Sequence, residues 1–133
     1  MLAALSILLM LPFVVYRIAK RVCPSRTWVA TGLAFGLIIA PASLGLYTFY
    51  FVSYLGFLPG TVGLLSSLVH GGPGFEVVTA LGLRDPGTVV NAQENVIIEV
   101  INGFFWGIVY GALGHLIDRW RRPRDIRIAP LAR

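Results

Sequence analysis

EVINGFFWGIVYGALGH, residues 99–115, decides the fold that this sequence predicts. The stretch is apolar and has glycine at every fourth position, at Gly103, Gly107 and Gly111, with Glu99 and His115 at its ends. Residues four apart lie on nearly the same face of an α-helix, so these glycines form one groove. In lipid, such a stripe of small residues lets two helix backbones approach closely. The stretch therefore predicts a transmembrane helix with a glycine packing seam.

Composition places the rest of the chain in a membrane as well. Of its 133 residues, 56% are hydrophobic and 13% are charged, whereas an ordinary soluble domain carries about 25% charged residues. A soluble chain this short would leave too much apolar surface in water. We therefore expect an all-α integral membrane protein that forms one membrane domain over residues 1–133.

Three segments are long enough to cross a bilayer, at about 2–19, 28–50 and 92–118. The first is the weakest candidate because it is short and contains Pro12. Ten of the eleven Lys and Arg residues lie around the junction of the first two spans or after the third. The positive-inside rule then predicts an outside N-terminus and a basic cytoplasmic tail over 119–133, in a bacterial-type plasma membrane. This clustering at span ends indicates anionic lipid headgroups as partners, not nucleic acid.

The outer loop, residues 59–93, contains two apolar runs that are too short to span. GGPG separates the runs and RDPG ends the second, and both motifs favour turns. We expect two short interfacial helices near 61–70 and 75–82, with a re-entrant pair that dips into the membrane as the alternative. NAQE at 91–94 has capping-box spacing, which predicts that the third span begins there.

The second span repeats the small-residue spacing of the third, and consecutive spans must be antiparallel. We expect the two stripes to face each other in a register in which paired residue numbers sum to 143. The predicted pairs are Gly32 with Gly111, Gly36 with Gly107, and Ala40 with Gly103. The same register puts Trp28 beside His115 at the inner interface. The alternative is that one stripe packs against a second copy of the chain.

Polar residues near the outer ends of the second and third spans predict a hydrogen-bonded cluster. Its candidate members are Glu99, Asn102, Tyr47, Tyr50 and Tyr54. Such a cluster is either an interfacial aromatic belt with a snorkelling carboxylate or a substrate or ion site.

No set of residues in the sequence predicts catalysis, a cofactor or a metal. Ser66 and His70 are four residues apart but have neither a nucleophile elbow nor an orienting acid. His70 and His115 are predicted on opposite sides of the membrane, so they could not ligate one haem together. We expect a non-catalytic accessory subunit or homo-oligomer. The alternative is an ion-conducting or membrane-permeabilising protein, similar in layout to some phage holins.

Overall fold

A computed structural model describes residues 2–52, 57–85 and 87–126. These residues are almost entirely helical and contain no β-strand, which confirms the all-α prediction for the described ranges. The helices are α1 (Leu2–Val22), α2 (Thr27–Val52), α3 (Phe57–His70), α4 (Gly72–Ala80) and α5 (Ala92–Ile126), with a 3-10 turn at Pro24–Arg26.

Within the described residues, two segments are long and apolar enough to cross a membrane, Pro24–Thr48 and Ala92–Arg121. They coincide with the second and third predicted spans. The first predicted span forms a helix, α1, which contains Pro12 and has Lys20 and Arg21 in its last turn. The third span begins as its sequence predicts, because Asn91 and Glu94 each accept a hydrogen bond from the other's backbone nitrogen.

The antiparallel pair α2 and α5 forms the centre of the bundle, with α1 and α3 packed on α2 and α4 packed on α5. We call the end where α2 starts and α5 stops the basic end, since Lys20, Arg21 and Arg26 lie there. The opposite end, where α2 stops and α5 starts, is the loop end. α5 continues to Ile126, so the first part of the predicted tail extends the helix.

The two short helices, which fall in the two ranges where short helices are expected, near 61–70 and 75–82, lie alongside the long ones. α3 runs antiparallel to α2, since Gly63 lies against Leu46 and Tyr47 while Ser66 bonds Ser43 further along. α4 begins beside the middle of α5 and leads back toward its start. There Arg84 Nε lies 3.8 Å from Glu94 Oε2.

Residues 70–74, which we call the hairpin turn, therefore lie beside the middle of α5 and not at the loop end. The short helices bury apolar residues such as Val78 against the long helices, and side chains of α5 pair with polar backbone groups at the turn. Most of GGPG forms the start of α4, which has proline in its first turn, a position where the missing N–H costs nothing.

Candidate functional site

Three polar side chains recur at every fourth position of α5 and all contact the hairpin turn. Asn102, Trp106 and Tyr110, which we call the polar stripe, directly precede Gly103, Gly107 and Gly111 in sequence. α5 therefore presents two neighbouring stripes of different chemistry. The glycine stripe faces α2, and the polar stripe contacts the turn between α3 and α4.

Asn102 pairs with backbone groups on both sides of the hairpin turn. Its side chain is fully buried; Oδ1 accepts from the Gly74 nitrogen at 2.6 Å and Nδ2 donates to the Gly71 carbonyl at 3.2 Å. Helix ends leave such amides and carbonyls without partners inside their own helix. A Cβ on Gly74 would lie 2.7 Å from Asn102 Oδ1, so the close approach requires glycine there.

Trp106 and Tyr110 hold His70, the last residue of α3. Trp106 Nε1 donates to the His70 carbonyl at 3.0 Å, and the Tyr110 hydroxyl lies 2.8 Å from His70 Nε2. His70 Nδ1 lies 2.9 Å from the Ser66 carbonyl. Because a carbonyl oxygen only accepts, Nδ1 carries a hydrogen, and in the tautomer with hydrogen on Nδ1 alone Nε2 accepts from Tyr110.

Two serines link His70 to α2, although Ser66 Oγ lies 3.4 Å from His70 Nδ1, farther than the Ser66 carbonyl that Nδ1 bonds at 2.9 Å. Ser66 Oγ lies 2.6 Å from Ser43 Oγ, and Ser43, which is fully buried, donates to the Ile39 carbonyl at 2.5 Å. Since the Ser43 hydrogen is used on Ile39, Ser66 must donate to Ser43. The donors in this polar chain (Tyr110, His70, Ser66, Ser43) all point the same way. The chain ends at a carbonyl that has no proton to pass on.

The predicted glycine pairs lie together at two of three positions. A Cβ on Gly32 would overlap the Tyr110 carbonyl and lie 2.9 Å from the Gly111 nitrogen. A Cβ on Gly36 would overlap the backbone of Trp106 and Gly107. The α2 glycines therefore meet α5 backbone with no side chain between them.

The three glycines of the α5 stripe have looser surroundings than Gly32 and Gly36 of α2. Gly103 faces the Leu37 carbonyl, 3.0 Å from an added Cβ, and the predicted partner Ala40 is buried. Gly107 faces the Leu33 carbonyl at 3.4 Å from an added Cβ. Gly111 faces the Leu33 side chain, with its Cδ2 2.8 Å from an added Cβ. Two large side chains thus fill the groove that the α5 stripe leaves open.

The predicted polar cluster is only partly assembled. Asn102 and Glu99 lie three residues apart on neighbouring positions of α5, and Glu99 Oε2 is buried and has no hydrogen-bond partner. The backbone of Tyr47 lies against Gly63 of α3. The Tyr50 side chain and all of Tyr54 lie outside the described residues. The hydrogen bonds of the Asn102 side chain at 2.6 and 3.2 Å thus go to the hairpin turn and not to the other members of the predicted cluster.

At the basic end, Asp118 of α5 caps the start of α2. Its carboxylate accepts from the backbone nitrogens of Trp28 and Val29 at 3.4 and 3.1 Å. The Trp28 carbonyl contacts Gly114, the neighbour of the predicted partner His115, which is exposed. The indole of Trp28 packs on Tyr16 with ring centres 5.0 Å apart, and the Arg121 guanidinium lies 5.0 Å from the Trp28 ring centre.

Sequence analysis missed Trp106 and Asp118 and did not link His70 to Tyr110. The four-residue recurrence of Asn102, Trp106 and Tyr110 was the available signal, since such spacing marks one helix face. Within the described ranges, no group of three or more His, Cys, Asp and Glu residues could hold a metal. In comparison with known proteins, no family model, no curated protein and no solved structure matches this chain.

Proposed function

We propose that the chain is a multi-pass protein of a bacterial-type plasma membrane in which α1, α2 and α5 cross the bilayer. The basic end lies in the cytoplasm, and α3 and α4 enter from outside and return as a re-entrant hairpin. Irregular backbone at membrane depth is tolerated only where protein groups or water pair its polar atoms. The hydrogen bonds from Asn102 and Trp106 to the hairpin turn support this arrangement. The clustered basic residues support the orientation.

Within that membrane the chain serves as a non-catalytic accessory subunit or a homo-oligomer. The observation that carries this proposal is the direction of the polar chain, which ends on the Ile39 carbonyl. Nδ1 of His70 bonds a backbone carbonyl and Nε2 bonds Tyr110, so neither ring nitrogen is free to bind a substrate. Asn102 is likewise engaged on both sides of its amide. These groups fix the hairpin against α5, which suits a scaffold with large apolar faces for lipid or a partner.

Cysteine labelling tests the orientation and the hairpin in one experiment. Cys23 is the only cysteine, is exposed, and lies at the basic end, so a membrane-impermeant maleimide should label it only after the cells are permeabilised. In a Cys23→Ser background, Leu83→Cys should be labelled from outside without permeabilisation. Labelling of Cys23 from outside would overturn the orientation.

The hairpin is tested by a second position in the same background. Leu68 is 72% exposed and lies near the hairpin turn, whereas Leu83 is 59% exposed and lies in the loop after α4. We expect Leu68→Cys to resist the water-soluble maleimide and to react with a lipid-soluble one. Labelling of both cysteines at equal rates by the water-soluble reagent would show that α3 lies at the interface.

The oligomer is tested by a detergent-corrected mass and by cross-linking in native membranes. A defined homo-oligomer, or a fixed stoichiometry with one other membrane protein, supports the proposal. A monomer that forms no cross-linked complex in its native membrane contradicts it.

The second candidate function is ion conduction, which the four linked side chains of the polar chain favour. We expect purified protein in liposomes to give no proton flux above that of empty liposomes, because the chain ends at Ile39. Proton flux in the wild type that is lost in His70→Phe would support conduction and overturn the scaffold.

A further inference from the structure

A groove between α2 and α5 occupies the loop-end half of the bundle, on its outer surface. The groove has a volume of about 490 Å³ and is lined by Leu37, Pro41 and Leu44 of α2 and by α5 residues that include Val96, Glu99 and Phe104. On α5 it extends from residue 92 to residue 104, a length of about 18 Å at the helical rise per residue. One leaflet of a bilayer core is about 15 Å deep. The groove is therefore about one leaflet long.

Two polar groups along the groove are hydrogen-bond acceptors. Glu99 Oε2 is buried and has no hydrogen-bond partner. Pro41 lies inside α2 and has no N–H, which leaves the Leu37 carbonyl without its usual helical partner. This carbonyl lies 3.0 Å from the position of a Cβ on Gly103, another lining residue. The described lining residues include no lysine or arginine, and Asn95 is their one side chain with N–H donors, so an occupant complementary to the Glu99 carboxylate must bring a donor of its own.

Glu99 lies about midway along the groove, seven residues from Ala92 and five from Phe104. Side chains on a helix point back toward its N-terminus, so the Glu99 carboxylate lies closer to the loop end than its own Cα does. Asn95 also lines this end, whereas Leu37 and Phe104 line the deeper end. The polar side chains thus lie toward the loop end and the side chains toward the middle of the bundle are apolar, as along a lipid from its headgroup to its acyl chain.

The closed inner end of the groove selects a lipid over another transmembrane helix. Beyond Gly103 the two helices close up, since Gly36 is in backbone contact with Gly107. A partner helix crosses both leaflets and would need a groove that continues past this contact. An acyl chain of one leaflet ends where the groove ends.

We propose that this groove binds one aminophospholipid of the outer leaflet, with its primary ammonium on Glu99 and an acyl chain along Leu37, Pro41 and Phe104. A primary ammonium offers three N–H donors, and a carboxylate is a strong acceptor for them. Asn102, one helical turn beyond Glu99 on α5, bonds the hairpin turn, so the proposed headgroup site lies next to the residue that holds the hairpin. The inference rests on the proposed membrane topology.

Native mass spectrometry of the full-length protein tests the inference with two lipids of identical acyl chains. Phosphatidylethanolamine carries a primary ammonium, whereas the quaternary ammonium of phosphatidylcholine has the same charge and no N–H donor. We expect the wild type to prefer phosphatidylethanolamine by about tenfold, the value of one charge-assisted hydrogen bond. Glu99→Gln should reduce this preference to near unity. Equal binding of the two lipids by the wild type would overturn the inference.

Two further variants separate binding from folding. Glu76→Gln changes an exposed carboxylate on α4 outside the groove lining and should keep the lipid preference. Leu44→Trp should fill the groove and weaken the binding of both lipids, while the helical circular dichroism spectrum stays unchanged. Unchanged binding in Leu44→Trp would place the lipid elsewhere and overturn the inference. Cysteine labelling that confirms the topology while the lipid preference is absent would refute this inference alone.

Discussion

Asn102 Oδ1 lies 2.6 Å from the backbone nitrogen of Gly74, and Asn102 Nδ2 donates to the carbonyl of Gly71. One side chain of α5 thus completes the hydrogen bonding of the backbone on both sides of the hairpin turn. The chain reverses direction at this turn, between α3 and α4. The position of both helices along α5 therefore depends on a residue of a third helix. The hairpin is therefore held from α5 and not by its own turn alone.

Asn102→Leu should destabilise the folded protein by about 1–3 kcal/mol, the usual cost of leaving buried polar groups without partners. The change removes an acceptor for Gly74 and a donor for Gly71 in a fully buried site. The free energy of unfolding can be measured by tryptophan fluorescence in mixed micelles of dodecylmaltoside and SDS. Gln93→Leu, at an exposed position in the first turn of α5, is the control and should change stability by less than about 0.5 kcal/mol. Equal stability of the two variants would contradict the role of Asn102.

His70 should be found as the neutral tautomer with hydrogen on Nδ1. Nitrogen-15 NMR of the imidazole distinguishes the tautomers, and exposed His115 provides a second resonance in the same spectrum. Tyr110→Phe removes the donor to Nε2, so that resonance should shift toward the position of a non-hydrogen-bonded ring nitrogen. A hydrogen on Nε2, or a spectrum unaffected by Tyr110→Phe, would show that the polar chain does not run as described.

The long helices follow from local sequence, whereas the hairpin does not. Hydropathy and length mark the spans at Pro24–Thr48 and Ala92–Arg121, and the capping box marks the start of α5. Four-residue spacing places Gly36 opposite Gly107, and the structure brings these two together. Each of these features depends on residues that are neighbours on one helix or on two helices of simple geometry.

The position of α3 and α4 along the long helices depends on residues far away in sequence. Short apolar runs have the same hydropathy whether they lie on a membrane surface or enter it, so their own composition does not separate the two positions. The separating information is the polar stripe on α5, whose Trp106 is 36 residues from its acceptor His70. Asp118 was missed for a similar reason, since its partners on α2 are 90 and 89 residues away.

Asp118→Ala should loosen the start of α2. The change removes the carboxylate that accepts from the Trp28 and Val29 amides, a loss comparable to that of an N-cap residue, about 0.5–2 kcal/mol. Hydrogen–deuterium exchange should quicken in peptides covering the first turn of α2, and Asp118→Asn, which keeps one side-chain oxygen, should show a smaller effect. Arg119→Ala, at the exposed neighbouring position, is the control. Equal exchange in Asp118→Ala and Arg119→Ala would contradict the cap.

Alanine substitutions at three glycines should separate backbone contact from ordinary helix packing. A Cβ on Gly36 overlaps backbone atoms of Trp106 and Gly107, which no side-chain rotation can move, so Gly36→Ala must push α2 and α5 apart. Overpacking of this kind costs about 1–3 kcal/mol. Gly45, in the same helix, has no atom within 4 Å of an added Cβ. Gly45→Ala should therefore be neutral or stabilise α2 by up to about 1 kcal/mol, because alanine is the better helix former.

Gly107→Ala should lie between these two variants, although it belongs to the same contact as Gly36. An added Cβ there would lie 3.4 Å from the Leu33 carbonyl and 3.5 Å from the Leu37 side chain, which can move. Unfolding in mixed micelles should thus rank the variants with Gly36→Ala least stable and Gly45→Ala most stable. Equal losses of unfolding free energy in Gly36→Ala and Gly107→Ala would mean that the glycines of α2 and α5 contribute equally to the contact between the two helices. A loss at Gly45 as large as at Gly36 would mean that glycine matters for helix flexibility, and the close approach of α2 and α5 would no longer explain the glycine spacing.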